Sequence, residues 1–352
     1  MYTSGTTSRP KGVLITHANY LHGGEIMAKA MRVGPEDRHL IVLPFFHAGA
    51  HIHAFVPALI AGAGAAVMTQ FSAGRFWDQA ITYEATLAAL FAAPVRMLLN
   101  QPHHPHDRRH RLRLVTYAQN VTPEEFDAWH ARFGVRLLQL WGMTESMSLP
   151  LINPLDLPAK PLSMGMPALG AELKIVDDSG WEVPPGAIGE LVLRGTPGVS
   201  LMKGYFKNPG ATAETIRGEW LYTGDLAWMD EEGYFYFVDR KKDIIKRAGE
   251  NVSASEVEEV LRRHPAVLDA AVVGVPDPIR DESVYALVIP REGVEVTGAE
   301  LIEWCSERLG KFKVPEAVEF RSAFPRTSVG KIQKNILRQD VRARLSGANT
   351  TK

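Results

Sequence analysis

Thr122-Pro-Glu-Glu-Phe-Asp-Ala-Trp-His-Ala-Arg-Phe-Gly-Val-Arg-Leu-Leu-Gln-Leu140 sets the layer type of the chain. Thr122 is an N-cap, Pro123 suits the first helical position, and Glu125 completes a capping box. The helix should stop at Gly134, and Val135 to Leu140 then reads as a strand. Working outward, Thr16 to Met31 has a helical pattern, and Leu40 to Leu43 and Gly64 to Met68 read as short buried strands. Helices alternating with strands predict α/β layering.

Between His39 and Gly74 there is no Asp, Glu, Lys or Arg. Its most apolar part, Ala54 to Met68, is about 15 residues long and is broken by Pro57, Gly62 and Gly64, whereas a spanning helix needs about 20. A buried helix and strand, not a membrane span, is expected. From Glu172 the pattern changes to strands, Glu172 to Val176, Ile188 to Arg194 and Tyr234 to Val238, separated by Gly-containing turns. After the charged joint Arg240-Lys-Lys-Asp243, Ser253-Ala-Ser-Glu256 and Thr297-Gly-Ala-Glu300 are capping boxes, the second opening a helix through Leu309. Strands are expected at Ala270 to Val275 and Val284 to Ile289. The organisation expected is a large α/β domain with a β-rich subdomain over 1–240 and a small α+β domain over 241–352.

Composition narrows the function. The 352 residues are 45% apolar and 22% charged, enough for a sizeable core and for about two domains. With 39 Lys+Arg against 40 Asp+Glu the net charge is −1, and a nucleic-acid binder would usually show a basic excess. Cys305 is the single cysteine, which excludes an intramolecular disulfide framework and fits a reducing, cytoplasmic setting.

Tyr2-Thr-Ser-Gly-Thr-Thr-Ser-Arg-Pro-Lys-Gly12 holds five Ser or Thr hydroxyls, two glycines and two cations. Hydroxyls and amide N–H groups can ring a phosphate where Gly5 permits close approach, and Lys11 adds a point charge. The spacing differs from the P-loop of nucleoside triphosphatases. Loops of this kind normally follow a buried strand, and only Met1 and Tyr2 precede this one. The expectation is a fragment of a longer protein.

With what lies downstream, this loop resembles the adenylate-forming superfamily of acyl-CoA synthetases, luciferases and adenylation domains. The motifs follow in the family's order: Trp141-Gly-Met-Thr-Glu145, Gly189-Glu-Leu-Val-Leu-Arg-Gly195, Tyr222-Thr-Gly-Asp225, Val238 through Arg240-Lys-Lys-Asp243 to Val252, and Pro325-Arg-Thr-Ser-Val-Gly-Lys331. Ser8, His110-Arg-Leu-Arg113, Phe133 to Leu138 and Phe312-Lys-Val-Pro315 look like the carnitine/crotonobetaine-CoA ligase branch.

The resemblance implies an ATP-dependent acid–CoA ligase. A carboxylate attacks the α-phosphate of ATP, giving acyl-adenylate and pyrophosphate, and a thiol then displaces AMP. Charge builds up in the first step, so the site must supply cations and hydrogen-bond donors. By the resemblance, Thr3, Ser4, Gly5, Thr6, Thr7 and Lys11 hold the β- and γ-phosphates. Thr144 contacts the α-phosphate, Glu145 holds Mg2+, and Trp141, with Gly142 and Met143, stands where an aromatic ring stacks on adenine. Asp225 would accept from the ribose hydroxyls with Arg240 beside it, and Lys331 would bridge the carboxylate and the α-phosphate. The small domain would rotate about Lys242, bringing the loop Lys246 to Asn251 over the site, with Gly249, Glu250 and Asn251 lining the path for the coenzyme A thiol.

Other features read more plainly. His47, His51 and His53 lack nearby Cys or carboxylate ligands, which disfavours a metal site, and the resemblance implies a substrate-side role for His47. His103-His-Pro-His106-Asp-Arg-Arg-His110 reads as a solvated polar loop. Ala118-Gln119-Asn120 departs from the small-residue stretch that commonly cradles adenine. Two further hypotheses stay open: transfer of the acyl group to a carrier protein, or an inactive nucleotide-binding fragment. The partners expected are a small carboxylic acid and either a missing N-terminal half or a second copy, with no nucleic acid and no transmembrane segment.

Overall fold

Five short strands in parallel organise the first half of the chain. The computed structural model describes residues 1–3, 10–327 and 330–348. The chain divides into two units, residues 1–223 with 227–237, and residues 224–226 with 238–352.

The first unit begins with β1 (Tyr2–Thr3) and β2 (Lys11–Leu14), then β3 (Arg38–Ile41), β4 (Gly64–Val67), β5 (Leu87–Phe91), β6 (Leu114–Ala118) and β7 (Arg136–Trp141). β3 to β7 are parallel and lie in the order β4-β3-β5-β6-β7. This is a doubly wound order, with its topological switch point between β3 and β5, and ligands of such sheets bind beyond the carboxyl ends of the strands. The helix Pro123–Phe133 forms as its sequence dictates. The Thr122 hydroxyl accepts from the Glu125 N–H at 3.2 Å, and the Glu125 carboxylate accepts from the Thr122 N–H at 2.8 Å. Gly134 stops it at φ +67°. Trp129 and Phe133 on its inner face are fully buried against Val115, Tyr117 and Leu137 of the sheet, which fixes the layer.

Two details differ from expectation. β3 starts at Arg38 because its ladder with Gly64–Val67 begins there. β4 is not a buried strand: it pairs only with β3, at the sheet edge, and Val67 is 46% exposed. The stretch before it turns through a π-type segment, His51–Phe55, into the helix Val56–Ala61. Pro57 has no N–H to give the preceding turn, a sufficient reason for the widened register there.

The sheet continues through β8 (Leu151–Ile152), β9 (Ser163–Pro167), β10 (Glu172–Val176), β11 (Gly189–Arg194), β12 (Gly204–Tyr205), β13 (Ile216–Arg217), β14 (Trp220–Met229) and β15 (Phe235–Arg240). Most of these extend it antiparallel, in the order β7-β8-β9-β15-β14-β11-β10. β12 instead joins β1 and β2 in a small three-stranded sheet.

The second unit holds β16 (Ile244–Arg247), β17 (Glu250–Ser253), β18 (Val267–Asp277), β19 (Asp281–Pro290) and β20 (Ala317–Phe320), with helices Ala254–Arg262, Gly298–Ser306 and Lys334–Ala348. Its core contains Val257, Leu261, Val272, Ala286, Leu301 and Cys305. Cys305 is fully buried, and burial pushes its thiol up to about 11. The Ser253 hydroxyl caps its helix by accepting from the Glu256 N–H at 3.2 Å. The reciprocal half of that capping box is not made, because the Glu256 carboxylate takes Lys313 Nζ at 2.7 and 2.8 Å instead. No helix among the described residues is long and apolar enough to cross a membrane.

Candidate active site

The residues singled out in the first unit gather at the carboxyl ends of the parallel strands. β1 and β2 form a hairpin in register Tyr2↔Gly12 and Thr3↔Lys11. Its base is closed by the Val13 N–H donating to Met1 O at 2.7 Å. A strand therefore does precede the loop, though a two-residue one in which Tyr2 is 80% exposed. Ser4, Gly5, Thr6 and Thr7 lie outside the described residues. Thr3 and Lys11 face each other at the two ends of that loop.

Lys11 leads to a residue that sequence reading missed. Its Nζ sits 4.5 Å from the ring centre of Tyr205, a cation–π contact. The Tyr205 hydroxyl in turn donates to Glu145 Oε1 at 2.8 Å. Tyr205 is placed by β12, opposite Val13 of β2, and Glu145 is tied to the same segment because its carbonyl accepts from the Met202 N–H at 2.9 Å. Both are buried, and burial, followed by the Glu145 charge, raises the Tyr205 phenol. The only sequence signal for Tyr205 was a Gly-Tyr pair, which has no chemistry of its own until β2 lies beside it.

Beyond the end of β7 the chain turns sharply. A Cβ on Gly142 would lie 2.6 Å from Leu149 Cδ2 and 3.0 Å from Ser148 O, so a side chain there would push Leu149 aside and crowd the Ser148 carbonyl. Met143 caps the short 3-10 turn Thr144–Ser146, its N–H donating to Ser146 Oγ at 3.1 Å. This turn leaves Thr144 half-buried and turns Glu145 inward to Tyr205. Trp141 is 9% exposed and packs with Leu151, Met164, Leu191 and Phe235, so much of its ring already serves the core. At the end of β6, Gln119 adopts φ +73°. Asn120 accepts from Gln139 Nε2 at 2.6 Å, and Gln139 accepts from the buried Tyr117 hydroxyl at 3.0 Å. Asn120 thus ends β6 in a partly buried polar network with Gln139 and Tyr117, while Gln119 beside it is exposed.

The histidines separate. His47, after β3, accepts from the Gly49 N–H at 3.0 Å and meets Phe91, at the end of β5, with ring centres 5.3 Å apart. That contact lies at the switch point of the sheet. His51 meets the Tyr20 hydroxyl at 3.3 Å, while His53 is buried and burial, then His47, pushes it down to about 3. Elsewhere, Asp78 joins His104 and His106 in a set whose donor atoms lie within 4.8 Å of one another. His106 Nδ1 and Asp78 Oδ1 are already hydrogen-bonded at 2.7 Å. Two ligands of one zinc ion would stand about 3.4 Å apart, so this pair is closed as a hydrogen bond.

The second unit carries the remaining candidates. Asp225 is 4% exposed and its Oδ1 lies 3.3 Å from Arg240 Nε. Lys246 and Asn251 are opposed on β16 and β17, and both are exposed. The turn between these strands is Ala248-Gly249 at φ +52° and +87°, the signs of a type I′ turn, with Glu250 and Asn251 exposed beside it. Lys331 stands in another hairpin. Its N–H donates to Thr327 Oγ1 at 3.2 Å, its carbonyl accepts from the Thr327 N–H at 2.8 Å, and Arg326 bridges Ile332.

A family model described as AMP-binding enzyme matches residues 1–206, and a second, AMP-binding enzyme C-terminal domain, matches residues 256–331. The chain belongs to the AMP-binding enzyme family. The resemblance to adenylate-forming enzymes read from motif order is borne out, as is its lean toward the carnitine branch. The chain is 42% identical over 341 residues to the crotonobetaine/carnitine–CoA ligase of Salmonella paratyphi B, covering 96% of this chain and 66% of that protein. It is equally similar to the protein of the same name in Salmonella typhi. The chain thus spans 66% of the length of the curated relatives it matches. ATP-bound MatB from Rhodopseudomonas palustris superposes with a TM-score of 0.89 at 29% identity, over 97% of this chain and 67% of that one. The o-succinylbenzoate coenzyme A synthetase MenE from Bacillus subtilis, in complex with AMP, gives 0.85 at 31% identity, over 96% and 68%. The mixed α/β fold of this AMP-binding enzyme is that of the adenylate-forming enzymes.

Proposed function

We propose that this chain is an ATP-dependent acid–CoA ligase that activates a small carboxylic acid as acyl-adenylate and then forms the acyl-CoA thioester. The observation that carries the reading is the contact chain Lys11–Tyr205–Glu145, which joins the end of the hydroxyl-rich loop to the turn after β7. A cation, a phenol and a carboxylate converge there beyond the carboxyl ends of a doubly wound sheet, where phosphate ligands bind. The motifs supply the rest of the reading, and the relatives named as CoA ligases support it.

In this mechanism Thr3, the hydroxyls of residues 4–7 and Lys11 receive the β- and γ-phosphates of ATP. Thr144 donates to the α-phosphate. The carboxylate of Glu145 suits Mg2+, which favours hard oxygen ligands, and Glu145 would hold the ion, whose charge offsets that of the phosphates. Asp225 accepts from the ribose hydroxyls, with Arg240 paired beside it. Gly142 and Met143 form the backbone wall beside adenine, and the exposed edge of Trp141 meets the base. Lys331 bridges the attacking carboxylate oxygen and the α-phosphate, neutralising charge as the P–O bond to pyrophosphate breaks. A turn of the small domain at Lys242 then exchanges Lys331 for the hairpin Lys246 to Asn251, where Gly249, Glu250 and Asn251 line the path of the coenzyme A thiol. The acid class is that of the relatives, a betaine-type carboxylate, and the setting is cytoplasmic.

The test is carboxylate-dependent ATP–pyrophosphate exchange without coenzyme A, across short, fatty, aromatic and betaine-type acids. Exchange with one class, abolished by Lys331→Ala while thioester formation from preformed acyl-adenylate persists, is expected. Equal loss of both half-reactions in Lys331→Ala would contradict the role given to this lysine.

A further inference from the structure

Lys331 has no rigid element of its own, yet its hairpin is gripped from both sides by one continuous set of charges. On the downstream side, Lys334 Nζ lies 2.7 Å from Glu258 Oε1, with side chains only 15% and 8% exposed. On the upstream side, Arg326 pairs with Asp269. Arg262 joins the two halves, with Nη1 3.7 Å from Glu258 Oε2 and 3.9 Å from Asp269 Oδ1. We propose that the chain Lys334–Glu258–Arg262–Asp269–Arg326 is a positioning device that fixes the Lys331 hairpin for adenylation. This rests on the reading of Lys331 given above.

Three observations extend the argument. Arg326 also donates from Nη1 to the carbonyl of Gly330 at 2.8 Å, so the network touches the residue next to Lys331. Glu258 Oε1 accepts from the Val272 N–H at 2.8 Å, which anchors the network to the core strand β18. Lys334 and Glu258 are the least exposed pair of the network: burial lowers the Lys334 pKa, but Glu258, Asp239 and Asp243 outweigh that and keep it charged. A buried charge stays only where paired, so the segment carrying Lys334 has one low-energy position. Ile332 beside it packs with Ala271, Val273 and Leu337, which locks the same strand of the hairpin through apolar contact. The catalytic ammonium is therefore presented by a loop whose two ends are held to one helix and one strand, as a bridging group needs if it is to meet a developing charge without reorganising.

The variants are Asp269→Asn, at the more exposed end of the network, and Glu258→Gln, at its buried centre. Both should lower kcat of ATP–pyrophosphate exchange at least tenfold with the KM for ATP within twofold. Thioester formation from preformed acyl-adenylate should stay within twofold, and Lys334→Arg should retain most of the exchange. A second readout is independent of activity: hydrogen exchange of the backbone amides at residues 330–333 should speed up in both variants. Equal slowing of both half-reactions, or unchanged exchange at those amides, overturns the proposal. If the wild-type chain shows no pyrophosphate exchange with any acid, the reading of function fails. The amide measurement then still decides whether the network holds the hairpin.

Discussion

Tyr205 couples two groups that the sequence sets far apart, and its hydroxyl is the part that does so. Tyr205→Phe keeps the ring under Lys11 and removes the hydroxyl, with its bond to Glu145 and its contact with Thr215. A hydrogen bond to a charged group is worth about 1.5–3 kcal/mol, so kcat/KM for ATP should fall about tenfold to a hundredfold. Half-saturating Mg2+ in the exchange reaction should rise with it, and an unchanged Mg2+ dependence would separate Tyr205 from the role given to Glu145. Trp141 poses a different question, since its ring is packed in the core. Trp141→Phe preserves most of that packing; a raised KM for ATP is expected if the indole edge meets adenine, and a KM unchanged beside a lowered Tm would assign it to the core alone. His39, on β3, is fully buried with neither ring nitrogen hydrogen-bonded to a described group. Burial pushes it down to about 4, with Asp37 raising and Arg113 lowering it further. An unfolded imidazole takes up its proton near 6.5, so the native state loses stability as pH falls from there toward 4. In His39→Leu the slope of stability against pH between about 6 and 4.5 should flatten by about 1.4 kcal/mol per pH unit, read from urea unfolding.

At the scale of elements, the hairpin of β16 and β17 invites a direct test. Its turn asks for positive φ at both central residues, and Ala248 supplies φ +52° against its preference. Relieving that costs nothing elsewhere, so Ala248→Gly or Ala248→Asn should stabilise the hairpin by about 1 kcal/mol, visible as a higher Tm. The same hairpin shows what sequence does and does not reveal. The helix Pro123–Phe133, the helix His17–Ala30 and β10 were legible because caps and alternation are local, and their partners lie within a few residues. The short parallel strands shifted by one or two residues, because their limits are set by ladders with strands far along the chain, as β3 is by Gly64–Val67. β4 read as buried because it is apolar, but being at an edge is a property of the sheet order, not of the strand. In the candidate site the motif residues were legible by family pattern. Tyr205 and the charges around Lys331 were not, since Glu258, Asp269 and Lys334 look like ordinary surface charges until the fold closes around them. The capping box at Ser253 was half right: competition from Lys313 for Glu256 comes from a residue 57 positions away.

At the scale of the whole molecule, two separate cores predict two unfolding events. The core around Trp129, Phe133 and Tyr117 belongs to the first unit, and that around Leu261, Val272 and Leu301 to the second. Calorimetry should resolve two transitions, since units with their own cores need not unfold together. Only one should move sharply between pH 6.5 and 4.5, because His39 and His53, the two imidazoles pushed to about 4 and about 3, both lie in the first unit. A single transition shifting as a whole would show that the units unfold as one.

Cys305 gives the molecule one more practical property. It is the only thiol in the chain, it is fully buried, and at about 11 its proton stays on at working pH. Thiol-directed dyes react with the thiolate, so the native surface is silent to them. Cysteines introduced at exposed Ile279 in one unit and exposed Trp181 in the other would take up a donor and an acceptor fluorophore without background labelling. Energy transfer between the two dyes, recorded on single molecules with and without nucleotide and coenzyme A, would then test the proposed rotation of the small domain.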